Sequence, residues 1–256
     1  MIYLWENKDK GGKSMIKVTI FNEFKHETTE ADVKAIYPKG IHTVLSDFLE
    51  EEGFKVRVIT QHGEEGNLKE DLGITKEILE DTDVIIWWGH GAHHLVPDEI
   101  ANLVCNEVQC GMGAIFLHSG HHSKPFKALM GTPCDLKWRD GEKERLWNIK
   151  PSHPIMKDVP QYIDLPQEEM YGEHFTIPDP DELLMIGTYT SHEVFRSACV
   201  WHRTHGKVFY FQPGHEAYPI YYMPEIRNII KNAVNYVSPT YRVSECTCEH
   251  YFGEKL

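Results

Sequence analysis

An uninterrupted apolar run at residues 83–88 (DVIIWW) is the feature that most constrains the fold, and Gly89 and His90 follow it directly. A strand with one face in water alternates apolar and polar residues, whereas a strand covered on both faces stays apolar. The run therefore predicts a strand inside a sheet that carries other structure on both of its faces.

Segments of strand length alternate with segments of helical periodicity through the first half of the chain. This alternation predicts an α/β fold with a doubly wound, mostly parallel, flavodoxin-like sheet. The expected strands are 15–21, 54–60, 83–88 and 114–118, and the expected helices are 40–52, 75–79, 97–111 and 123–130.

The rhythm changes after Gly131, where the sequence indicates partly antiparallel excursions at 136–149 and 161–163. No linker composition divides the chain, so residues 1–256 are expected to form a single domain. Further strands are expected at 183–188, 198–202 and 207–211, and a closing amphipathic helix at 223–237.

The first 14 residues have no regular pattern, and Met15 opens the first expected strand directly. Residues 10–13 (KGGK) can be encoded by a purine-rich stretch like a bacterial ribosome-binding site. We therefore hypothesise that Met15 is the natural start and that residues 1–14 are a translated leader. The alternative is an N-terminal arm, for example one that pairs in a homo-oligomer.

The charge balance excludes several kinds of partner. With 26 basic and 39 acidic residues, the formal net charge of −13 argues against nucleic acid or an anionic membrane surface. No apolar run approaches the roughly 20 residues that span a bilayer, and a cytoplasmic location is expected. A nucleotide cofactor is not expected either, because residues 12–14 (GKS) lack the first glycine of a phosphate-binding loop.

Histidine clusters lie where three expected strands end. The chain has 16 histidines, and in a parallel sheet ligands bind beyond the carboxyl ends of the strands. At the first of these ends Gly89 lets the backbone turn tightly and expose its amides. We expect substrate contacts from Trp88, Gly89, His90 and His121.

His118 and His215 are the strongest catalytic candidates. His118 stands on a sharp strand-to-helix turn, which holds a side chain up into the site as a nucleophile elbow does. His215 precedes Glu216, and a carboxylate or carbonyl can fix the working tautomer of an imidazole. The alternative for both is a structural role, in which loop carbonyls accept the hydrogen bonds of the imidazole.

Two further motifs complete a family pattern: 168–171 (EEMY), and 201–210 (WHRTHGKVFY) followed by Gly214 and His215. With the histidine turns, and over most of residues 15–240, the chain resembles the ThuA-like family of trehalose utilisation. Glu168 stands where that family usually has aspartate. The resemblance implies that Glu169 and Tyr171 belong to the site and that the fold is that of class I glutamine amidotransferases.

The resemblance also implies a role in the use of trehalose or a related disaccharide, with a 3-keto sugar as the substrate. In this chain His118 takes the place of the amidotransferase cysteine, so glutaminase activity is not expected. An enzyme acting by isomerisation, elimination or hydrolysis is the first interpretation, and a non-catalytic sugar-binding or regulatory protein is the alternative.

Two kinds of chemistry remain open for the site. His90, His118 and His215 could hold a divalent metal, zinc first, that polarises a carbonyl group. His118, His215, Glu169 and Tyr171 could instead serve as metal-free acids and bases around a sugar.

Overall fold

The computed structural model describes residues 15–246, and its nine strands form one sheet. The expectations for residues 1–14 lie outside this range. The strands are β1 (Lys17–Asn22), β2 (Lys55–Thr60), β3 (Val84–Trp88), β4 (Gly113–Leu117), β5 (Lys137–Asn148), β6 (Tyr162–Gly172), β7 (Glu182–Tyr189), β8 (Val194–Arg203) and β9 (Gly206–Phe211). The helices are α1 (His26–Thr29), α2 (Ala31–Ile36), α3 (Ile41–Glu51), α4 (Lys76–Glu80), α5 (Asp98–Gln109), α6 (Lys124–Met130) and α7 (Pro224–Val237).

The parallel part of the sheet has the order β2-β1-β3-β4-β9, and every neighbouring pair in it is parallel. This is the flavodoxin-like strand order. The chain places β2 on one side of β1 and then returns to place β3 on the other side, so the switch point lies between β1 and β3. The predicted α/β fold is confirmed. Ligands of such sheets bind beside the switch point, which here is the end of β1 and β3.

The core has two layers, one on each face of the sheet. Ile86 of β3 packs with α3 and α7 in one apolar cluster, whereas Ile85 packs with α5 and α6 in the other. Every residue of β3 is buried. The apolar run at 83–88 is therefore explained by cover on both faces, as predicted.

The antiparallel part consists of β8, β7, β5 and β6 in that order beyond β9. The excursion expected at 161–163 is in fact the start of β6, which runs to Gly172. Its later half pairs with the start of β5, and the register shifts twice between Arg139 and Glu144. Such bulges bend a strand and re-aim its side chains, and here they carry residues 168–171 to the site.

Two short helices, α1 and α2, follow β1 where no helix was expected. They matter because α1 begins at His26, close to the end of β1. Among residues 15–246, no helix combines the length and the apolar composition that crossing a membrane requires.

Candidate functional site

The ends of β3, β4 and β9 bring three predicted histidines together. The ring centroids lie 5.8 Å apart for His90 and His118, 4.8 Å for His90 and His215, and 5.2 Å for His118 and His215. Parallel strands place their carboxyl ends at one sheet edge, and that rule predicts this convergence.

The later half of β6 adds Glu169 and Tyr171 to the histidines. Oε2 of Glu169 lies 3.0 Å from Nε2 of His118, and the Tyr171 ring stacks on the His118 ring at 5.1 Å. Burial raises the pKa of Tyr171 well above its ordinary value. Its hydroxyl therefore stays protonated and donates to Nε2 of His118 over 3.3 Å.

His118 has the geometry expected of an elbow residue. Its φ of +50° is in the left-handed region, which is strained for a residue with a side chain. Its Nδ1–H donates to the carbonyl of Gln212 over 3.0 Å, so the neutral ring leaves Nε2 without a proton. The side chain is fully buried and does not line the cavity, so its predicted catalytic role would act through Glu169, Tyr171 or a bound cation.

Glu216 joins His90 to a histidine from the end of β1. Its Oε1 accepts from Nδ1 of His90 and from Nδ1 of His26, each over 2.5 Å. Burial alone would lower the pKa of His90, but the hydrogen bond and charge of Glu216 outweigh it and raise that pKa to about 9. The same two hydrogen bonds hold the pKa of Glu216 far below its ordinary value despite burial.

His215 differs from His90 in charge and in tautomer. Burial, together with the nearby His118, lowers the pKa of His215 to about 4. Its Nδ1 accepts the backbone N–H of Ala217 over 3.0 Å, so the neutral ring carries its proton on Nε2. The site thus places a charged and a neutral imidazole side by side, a separation typical of acid and base pairs.

Two buried glutamates hold the loops that carry these histidines. Glu23 accepts from the backbone N–H groups of His90, Gly91 and Ala92 over 2.8–3.0 Å. Glu168 accepts in the same way from Gly214 over 2.8 Å and His215 over 3.1 Å. Each carboxyl group therefore fixes one histidine loop through its main chain.

Two residues predicted to contact the substrate do not line the cavity. Trp88 is 1% exposed and packs in the core, where its indole N–H donates to the carbonyl of Gly214 over 3.1 Å. Gly89 is buried against Glu23, and a Cβ there would meet Oε2 of that carboxylate at 3.3 Å. Both residues lie behind the histidine loops: Trp88 donates a hydrogen bond to the Gly214 carbonyl, and Gly89 leaves room for the Glu23 carboxylate that holds the His90 loop.

A cavity of about 530 Å³ opens above these residues, within the usual range for small-molecule sites. The predicted residues His90, His121, Glu169, Tyr171 and His215 line it. His121 donates from Nδ1 to the carbonyl of Cys134 over 2.9 Å, which leaves its Nε2 unprotonated in the neutral ring.

The donor set fits a divalent cation. One ligand atom from each of His90, His118, Glu169 and His215 lies within 4.8 Å of the others. Oε2 of Glu169 has no hydrogen-bond donor among the described residues, and Nε2 of His118 lies 3.0 Å from it. Two electron-pair donors this close require a positive charge between or upon them, either a proton or a cation.

Sequence reasoning missed Glu23, His26 and Glu216. Glu23 and His26 follow β1, which is one of the two strands at the switch point. The rule that found His90 and His118 at their strand ends applies equally to β1 and could have found them. Glu216 was noticed only as an orienting neighbour of His215, but it serves His90 and His26 instead.

Comparison with known proteins gives one family match, to ThuA, described as trehalose utilisation, over residues 17–237. A comparison with curated proteins finds no match. Among solved structures, a protein described as ThuA-like from Parabacteroides merdae ATCC 43184 has a TM-score of 0.67 and 14% identity, covering 90% of this chain and 93% of its own.

Two other solved structures share the fold. A cytoplasmic protein from Salmonella typhimurium has a TM-score of 0.59 and 12% identity, covering 88% of this chain and 100% of its own. A glutamine amidotransferase from Thermotoga maritima has a TM-score of 0.50 and 9% identity, covering 88% of this chain and 99% of its own. The amidotransferase-like scaffold that the motifs implied is thereby confirmed.

Proposed function

Since the chain belongs to the ThuA family of trehalose utilisation, we propose that it is an enzyme of carbohydrate catabolism that acts on a 3-keto sugar or keto-disaccharide. The observation that carries this proposal is the group formed by His90, His118, Glu169 and His215 beneath the cavity. Structural packing alone gives no reason to gather imidazoles of different charge around a buried carboxylate.

Isomerisation and elimination of a keto sugar begin with the same step. A base removes the proton from the carbon beside the carbonyl, and the bonding electrons move toward the carbonyl oxygen. The carboxylate of Glu169 is able to accept that proton, and His215, whose neutral ring carries its proton on Nε2, is able to donate one; both residues line the cavity. The charged His90 beside them is suited to stabilise the negative oxygen.

We also propose that His90, His118 and Glu169 hold a divalent cation, zinc first. In the zinc-bound state His90 would be neutral, with its Nδ1–H donating to Glu216. Nε2 of His90, Nε2 of His118 and a carboxylate oxygen of Glu169 would then be suitable zinc ligands, with Glu216 and the Gln212 carbonyl orienting the two imidazoles from behind. When bound, the cation supplies polarisation of the sugar carbonyl. His215 lies within reach, but its Nε2 carries the proton when the ring is neutral, which suits proton transfer better than ligation.

The test is an assay of the protein, with and without added zinc, against a panel of 3-keto monosaccharides and disaccharides. We expect turnover by the wild type, and loss of turnover in Glu169→Gln and His215→Gln. His94→Gln is the matched control, because His94 is exposed on the His90 loop and should not matter. A wild type that neither turns over nor binds any keto sugar would refute the proposal.

Binding without turnover would favour the alternative, a non-catalytic sugar-binding or regulatory protein on the same scaffold. For location we propose the cytoplasm, as described for the Salmonella typhimurium neighbour. The ligand is proposed to be a sugar and not nucleic acid, because the net charge of −13 opposes binding to a polyanion.

A further inference from the structure

Among the tryptophans of residues 15–246, Trp138 stands apart in its exposure. Trp138 is 62% exposed, whereas Trp87, Trp88 and Trp201 are each 1% exposed. Its indole N–H has no hydrogen-bond partner among residues 15–246. A large apolar ring left in water at the mouth of a cavity is typical of a ligand-contacting residue.

The pairing of β5 with β6 fixes the position of Trp138 relative to the proposed catalytic residues. Trp138 of β5 pairs directly with Tyr171 of β6, and directly opposed residues of an antiparallel pair project from the same face. Both line the cavity. Tyr171 is 2% exposed and touches His118, so the two rings mark the inner and outer parts of one wall.

Tyr218 extends from the inner part to the outer part of the cavity along another wall. Its ring centroid lies 5.5 Å from that of His215, and its hydroxyl reaches the bend of β5, 3.9 Å from where a Cβ on Gly141 would lie. Asp140, beside that bend, is exposed and also lines the cavity. The outer part thus offers two aromatic rings and a carboxylate.

We propose that this outer part is a second sugar subsite, in which a pyranose ring stacks on Trp138 and donates hydroxyl hydrogen bonds to Asp140. The apolar C–H face of a pyranose matches an indole, and its rim of hydroxyls matches a carboxylate. This inference rests on the proposed function and narrows its substrate class: the reacting ring lies over Glu169 and His215, and a second ring lies on Trp138. The substrate is then a keto-disaccharide and not a keto-monosaccharide.

The experiment compares 3-ketotrehalose with 3-ketoglucose as probes, using wild type, Trp138→Ala, Trp138→Phe and the control Trp147→Phe. Trp147 lies on the same strand but donates its indole N–H to Thr188. Both kcat/KM and the dissociation constant from a fluorescence titration are measured for each sugar.

We expect Trp138→Ala to weaken both parameters about tenfold for 3-ketotrehalose, in line with the value of an aromatic contact, and less than twofold for 3-ketoglucose. Trp138→Phe should recover most of the loss. An equal effect on both sugars, or no effect on either, would overturn the subsite without contradicting the proposed enzymatic activity. A disaccharide preference in binding without turnover would support the subsite and refute the proposed catalysis, and a wild type that binds neither sugar would overturn both.

Discussion

Glu169 carries the sharpest test at the scale of single residues. Its Oε2 lies 3.0 Å from Nε2 of His118 and has no hydrogen-bond donor among the described residues. In wild type, zinc at 100 times its dissociation constant should stabilise the fold by about 2.7 kcal/mol, which is about 5–10 °C in Tm for a chain of this size. Glu169→Gln should lose most of this shift.

The measurement is a pair of thermal melts with and without zinc, with His94→Gln as the control. His94→Gln should shift as wild type does. If Glu169→Gln shifts as much as wild type, the carboxylate is not a ligand and the metal-free acid–base version of the site is favoured.

The site residues that sequence reasoning found are those at strand ends or in family motifs. His90, His118 and His215 follow from the topology of a parallel sheet, and Glu169 and Tyr171 from the resemblance. Trp88 was misplaced because sequence position cannot tell whether a residue at a strand end turns toward the cavity or the core. Glu216 pairs with His26, which lies 190 positions earlier in the chain, and no local sequence pattern encodes such a contact.

At the scale of elements, the loop after β3 depends on Glu23. A glutamine in its place would offer one acceptor oxygen and turn an NH₂ toward backbone N–H donors. Glu23→Gln should therefore lower the free energy of unfolding by about 1–3 kcal/mol. Because the loop carries His90, zinc affinity should also fall, by about 10–100-fold.

Chemical denaturation and a competitive zinc titration check both effects. Glu65→Gln, on an exposed loop residue, is the control and should match wild type in both. A Glu23→Gln variant with full zinc affinity would show that the His90 loop keeps its place without the carboxylate.

Glu182 makes a prediction about pH, because it ties β7 to α7. Its Oε2 accepts from Lys150 over 2.7 Å, and its Oε1 accepts from the hydroxyl of Tyr236 over 2.6 Å. Burial alone would raise the pKa of Glu182, but these two hydrogen bonds outweigh it and lower that pKa from 4.5 to about 2. A carboxyl group whose pKa is lower in the folded than in the unfolded protein stabilises the fold above pH 4.5, and this contribution fades as pH falls toward 2.

Glu182→Gln should therefore be less stable than wild type by about 1 kcal/mol at pH 7, a value reduced because Lys150 is partly open to solvent. The difference should shrink steadily below pH 4.5. Urea unfolding at pH 7, 5 and 3.5 measures it, with the exposed Glu50→Gln as control. A difference that grows in acid would contradict the assigned ion pair.

The elements themselves were predicted unevenly, for a physical reason. The parallel strands and α3, α5 and α7 follow from apolar runs and helical spacing, since burial on a known face imposes both. The later half of β6 was missed because Glu168 and Glu169 are buried there, at 0% and 3% exposure. Buried acidic residues break the alternation that identifies a strand, and they occur here because the strand serves the site.

At the scale of the molecule, the chain has an amidotransferase-like fold, and the resemblance places His118 where those enzymes carry their cysteine. The turn after β4 holds His118 in the left-handed region, and His215 stands after β9. The groups at these positions are now an imidazole at the elbow and a glutamate, Glu216, that faces His90 and His26. A reaction that needs several proton-carrying groups is better served by this set than one that needs a thiolate.

We therefore predict that the protein releases no ammonia from glutamine, and that His118→Cys does not restore this activity. Glutaminase chemistry needs a thiolate at the elbow and a base that can take its proton. Cys105, Cys110, Cys134 and Cys199 are buried. Burial raises the pKa of all four thiols, that of Cys105 to about 11, so they stay protonated at neutral pH. A cysteine at position 118 would still lack an oriented base, because Nδ1 of His215 is occupied by the Ala217 N–H and Glu216 is engaged elsewhere.

Glutamine incubated with wild type and His118→Cys, and assayed for ammonia, gives the answer. Ammonia release that disappears after thiol alkylation would mean that the scaffold retains amidotransferase chemistry, and the reassignment of the elbow to sugar chemistry would have to be abandoned.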